Sequence, residues 1–75
     1  MDRVSRCEEL LKSLGFSVFR VRFHGDVARI EIGAAEYERA FDPNIRADLN
    51  RGVKEAGFKD VALDLEPYRS GRLNE

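Results

Sequence analysis

The stretch from Ser17 to Ile32 constrains the rest of the chain more than any other. Phe19, Val21 and Phe23 alternate with Arg20 and Arg22, and Ala28, Ile30 and Ile32 then alternate with Arg29 and Glu31. A period of two describes strands buried on one side only. Between the two runs, His24-Gly25-Asp26 offers a Gly-Asp pair that tolerates the positive φ of a tight turn, so the strands form an antiparallel hairpin. A two-residue Gly25-Asp26 loop sets His24 opposite Val27. That register gathers all six apolar residues on one face, with Arg22 opposite Arg29 and Arg20 opposite Glu31 on the other.

The flanking segments read as helices and one further strand. Val4, Cys7, Leu10, Leu11 and Leu14 fall at three- and four-residue steps, which predicts a helix from about Arg3 to Leu14. Asp2 caps it, or Ser5 with Glu8 forms a capping box one turn later, and Gly15-Phe16 stops it. Gly33 to Phe41 is expected to make a short helical turn with Ala34, Tyr37 and Phe41 on one face. Asp42-Pro43 opens a second helix whose apolar stripe is Ile45, Leu49, Val53 and Ala56. Gly52 weakens that helix by roughly 1 kcal/mol relative to alanine, and its smallness suits a close approach to the sheet. Gly57-Phe58 repeats the earlier stop, and a third strand follows with Val61, Leu63 and Leu65 inward and Ala62, Asp64 and Glu66 outward. Lys12, Gly15 and Phe16 thus correspond to Lys54, Gly57 and Phe58, a short helix-to-strand repeat.

The order αββαβ predicts an α+β fold, a two-layer sandwich in which both helices cover one face of a three-stranded mixed sheet. A right-handed crossover is expected to bring the third strand beside the first, in the order 2-1-3. Seventy-five residues make one domain, 1–75, in which 66–75 lack periodicity and read as a flexible tail.

Charged residues make up 36% of the chain but cancel to a net charge of -1, so any anion site must be local. Phe19 and Phe23 fall on the core face, whereas sheets that bind RNA need aromatics on the open one, so no nucleic-acid partner is expected. A single cysteine forms no internal disulfide, and no long apolar run is present. The expectation is a cytoplasmic protein without a membrane partner.

Two readings of the charged face stay open. Arg20, Arg22 and Arg29 pair off with Glu31, Asp64 and Glu66 as ordinary cross-strand ion pairs, or they form a clamp for phosphate or carboxylate. Arg22 opposite Arg29 favours an intervening anion or acid, because like charges directly opposite are destabilising. In the tail, Arg69-Ser70-Gly71 offers a guanidinium, a hydroxyl and backbone amides for the same purpose. His24 reads as a solvated turn residue, Cys7 as a buried inert thiol, and Glu8, Glu9, Glu36 and Glu38 as surface carboxylates. No catalytic or metal-binding residue is expected.

Three segments together resemble the C-terminal region of the LarE-type PP-loop ATPases, ATP-dependent sulfur transferases related to the ExsB and GMP-synthase PP-loop proteins. They are Glu8 through Phe16; Val18 through Glu31, with its Arg-Val-Arg, His-Gly-Asp and Ala-Arg-Ile-Glu elements; and Val61 through Glu66 with Tyr68-Arg69-Ser70-Gly71. The resemblance implies that the PP-loop, with its ATP and magnesium, and the sulfur-donor cysteine lie outside these residues. It implies no cofactor on this chain alone, and Cys7 does not inherit the donor role. It implies that Arg20, Arg22, Arg29 and Arg69, with Glu31 beside them, bind phosphate or carboxylates of a small-molecule substrate, and the hydroxyl of Ser70 joins them on the reading of the tail. Arg72 departs from the small residue usual after the glycine. The expected function is an accessory anion-binding and assembly module, not an enzyme by itself, with a PP-loop domain or further copies of the chain as partners. A stand-alone interaction or oligomerisation domain is the alternative.

Overall fold

The computed structural model of the chain describes residues 2–69. Helix α1 (Arg3–Ser13) leads into strands β1 (Phe19–His24) and β2 (Val27–Ile32), a 3-10 helix (Tyr37–Phe41), helix α2 (Pro43–Glu55) and strand β3 (Asp60–Leu63). The αββαβ order and the mixed three-stranded sheet are those that the alternation and the helical stripes predict.

Capping chemistry sets the helix boundaries. Asp2 accepts from Ser5 N at 2.8 Å at the start of α1, and Asp42 accepts from Asn44 N and Ile45 N at the start of α2. Both helices end on a glycine of positive φ, Gly15 and Gly57, and the following phenylalanine amide turns back to a carbonyl of the last turn. Phe16 and Phe58 are thereby driven into the core, so the short sequence repeat is also a repeat of structure.

The hairpin register is the one the alternation requires, with His24 opposite Val27, Arg22 opposite Arg29 and Arg20 opposite Glu31. The strand order is not the expected one. β3 runs parallel to β2, and the sheet order is β1-β2-β3. Ala28, Ile30 and Ile32 on β2 are essentially inaccessible, whereas Phe23 on β1 stays more than half exposed. Placing β2 in the centre lets its apolar residues be covered from both sides, which an order with β1 in the centre would forgo.

Three smaller expectations also change. Leu65 does not face inward: β3 ends at Leu63, and Leu65 is 83% exposed. In the 3-10 helix the buried anchor is Ala40, not Ala34 or Phe41, which are exposed; the Tyr37 and Phe41 rings meet edge to face. Gly52 brings α2 against α1 and not against the sheet. A Cβ there would lie 2.5 Å from Leu10 Cδ2. The core unites Cys7 and Leu11 of α1, Leu49, Val53 and Ala56 of α2, Phe16, Phe58, Ala40 and the inner face of β2.

Candidate functional site

The outer face of the sheet is solvated except at its centre, where Glu31 is the buried charged residue at 7% exposure. Its Oε2 accepts from Arg22 Nε at 3.0 Å and from Arg29 Nη2 at 3.2 Å. Arg29 Nε lies 3.8 Å from Asp64 Oδ2, just past the end of β3. Glu31 can reach both arginines because it sits two residues from Arg29 along β2 and diagonal to Arg22 across the hairpin. One carboxylate thus separates the two like charges that the register places opposite each other.

Arg20 is the register partner of Glu31, but its guanidinium lies over the Tyr68 ring, 5.6 Å from the centroid. Tyr68 reaches that position by a one-residue parallel bridge to Gly33, with Tyr68 N donating to Ile32 O at 2.8 Å. Val18 Cγ1 fills the space where a Cβ on Gly33 would stand, 2.7 Å away. Arg69 follows directly, exposed, at the end of the described chain, and Ser70 lies outside the described residues.

The structure therefore does not place the expected residues as one set of equivalent guanidiniums. Arg22 and Arg29 form a pair around Glu31, with about half of each side chain still accessible, 49% and 52%. Arg20 is set aside on an aromatic ring. The face offers an anion two half-solvated guanidiniums in fixed orientation, flanked by a third cation and by Tyr68. Planar N–H donors in that setting favour oxyanions such as phosphate and carboxylate over other ligands.

Two structural roles escape the sequence. Tyr37 sends its hydroxyl to the carbonyls of Asp64 and Leu65, tying the 3-10 helix to the chain leaving β3. Glu36 accepts from Ser17 N, Ser17 Oγ and Val18 N at 2.9 to 3.1 Å and so anchors the approach to β1. Those backbone bonds, Ser17's first, hold its carboxyl below the ordinary glutamate range. Glu36 lies in the turn before the 3-10 helix and Tyr37 at its first residue, where the contacts depend on tertiary placement and not on a period.

Elsewhere the chemistry is quiet. Cys7 is buried in the core, and burial pushes its thiol up from the ordinary value. Among the described residues no cluster of three or more His, Cys, Asp or Glu could hold a metal, and no helix is long and apolar enough to cross a membrane.

No family model matches the chain. It is 45% identical over 97% of its length to a pyridinium-3,5-bisthiocarboxylic acid mononucleotide synthase of Lactiplantibacillus plantarum, of which that match covers 26%. It is also 36% identical over 99% of its length to an uncharacterized protein of Synechocystis, covering 28% of it. The chain spans about a quarter of the length of these curated relatives.

Proposed function

From its kinship, over nearly its whole length, with a LarE-type protein, we propose that the chain serves an ATP-dependent sulfur transferase as an accessory module that binds an anionic group of the substrate. It performs no chemistry by itself; the PP-loop domain supplies ATP and magnesium. The observation that carries this reading is the Arg22–Glu31–Arg29 triad, a buried carboxylate holding two half-exposed guanidiniums on a rigid strand pair. Glu31 cancels the repulsion between the arginines while leaving donor capacity open to solvent. Arg20 and Arg69 complete the set that the kinship carries over, and Ser70 adds a hydroxyl. The module works in the cytoplasm on this reading.

A titration of the labelled chain with phosphate and with a nucleoside monophosphate, followed by NMR, tests the site. Shifts centred on Arg20, Arg22, Arg29 and Glu31, abolished by Arg22→Gln with Arg29→Gln, are expected. Shifts confined to residues away from this face would overturn the reading.

A further inference from the structure

The flank of the sheet beyond β3 has features of its own. Among the described residues β3 has a neighbour strand on one side only. Its parallel register with β2 turns the amides of Asp60, Ala62 and Asp64 toward β2, as the bonds from Asp60 N to Asp26 O and from Asp64 N to Ile30 O show. The N–H and C=O groups of Val61 and Leu63 therefore point away from the sheet, along an unpaired edge. Beside that edge, on the core side, lies an open groove of about 540 Å³ between β3, α2 and the 3-10 helix. Val61 and Leu63 of β3, Phe41, and Ala47 of α2 line it, with the exposed Arg46 and Asn50. Phe41 is 44% exposed, and Arg46 has no ion-pair partner among the described residues.

We infer that the β3 edge and this groove form a docking site for an extended segment of a partner protein, one that places an apolar residue in the groove and an acidic residue two positions away at Arg46. Such a segment adds a fourth strand. Its backbone pairs with the outward groups of Val61 and Leu63, and its side chains at every second position face the groove, the usual division of affinity and specificity in strand addition. The exposed Arg46 selects the acidic residue. A second copy of the chain is disfavoured. Two β3 strands pairing antiparallel about Ala62, with both cores on the same side, would set Asp60 of each copy against Asp64 of the other, and like charges directly opposite repel.

The test is an NMR titration of the labelled chain with the peptide acetyl-Thr-Val-Thr-Glu-Thr-amide, beside a control carrying Lys in place of Glu. Expected are shifts at Val61, Leu63 and Ala47, slowed solvent exchange of the Val61 and Leu63 amides, and binding about two- to fivefold weaker for the Lys control. Arg46→Glu, an exposed change that leaves the remaining amide spectrum in place, should reverse the order of the two peptides. No shift with either peptide, shifts only on the arginine face, or equal response to both peptides would overturn the inference. So would perturbation of Val61 and Leu63 on raising the chain's own concentration, which would make a second copy the occupant.

Discussion

Replacing Glu31 by glutamine should destabilise the fold while strengthening the attraction of the outer face for anions. Glu31 is almost fully buried and takes two charge-assisted hydrogen bonds, from Arg22 Nε and Arg29 Nη2. Each such bond would be worth about 1.5 to 3 kcal/mol if both partners were desolvated, but the arginines are half exposed and solvent screens much of that. A net cost of about 1 to 2 kcal/mol follows, to which repulsion between Arg22 and Arg29 contributes once the carboxylate between them is neutral. For a domain of this size each 1 kcal/mol moves the melting midpoint by roughly 4 to 8 °C. Urea unfolding followed by far-ultraviolet circular dichroism, with and without added salt, reads the effect. The gap between the native chain and Glu31→Gln should narrow at high salt, where both the lost attraction and the exposed repulsion are screened. Arg29→Gln introduced into Glu31→Gln should then recover part of the loss. Unchanged or raised stability for Glu31→Gln, or a further loss in the double variant equal to that of Arg29→Gln alone, would refute the idea that Glu31 holds the two arginines together.

Three further expectations concern residues away from the triad. Backbone bonds depress Glu36 and Asp2 in the fold, so each contributes stability above its unfolded value that is lost as pH falls through its lower folded value. Acid unfolding curves should show this loss at and below the ordinary carboxylate range, and Glu36→Gln should flatten it. Asp42→Ala, which removes the acceptor for Asn44 N and Ile45 N, should cost about 1 kcal/mol in urea unfolding. Cys7 should resist a thiol reagent in the folded chain at mildly alkaline pH and react at once on unfolding.

The hairpin, both helices with their caps, and the paired arginines could be read from the sequence because each follows from a local period or a local stop signal. Register in particular was determined by requiring six apolar residues on one face. The place of β3 was not legible, since its own pattern fits either edge of the hairpin; the deciding quantity is how deeply β2 must be covered, and that is a property of the whole sheet. Leu65 shows the same limit at smaller scale. Its alternation continues that of β3, but the chain turns away where Tyr37 binds the carbonyls of Asp64 and Leu65. At the candidate site the residue types were evident and their pairing was not. Facing positions suggested Arg20 with Glu31, whereas side-chain reach gives Glu31 to Arg22 and Arg29 and leaves Arg20 to Tyr68.

Whether the guanidiniums around Glu31 are available to an external anion is reported directly by the arginine Nε–H resonances as phosphate is added. Arg3 and Arg39 serve as internal controls, because both are bound to backbone carbonyls and stacked on Phe58 and Phe16. The Arg22 and Arg29 signals should shift in a saturable way while those of Arg3 and Arg39 stay in place. Arginine signals that all remain still, or all drift together without saturation, would show that Arg22 and Arg29 bind no anion there.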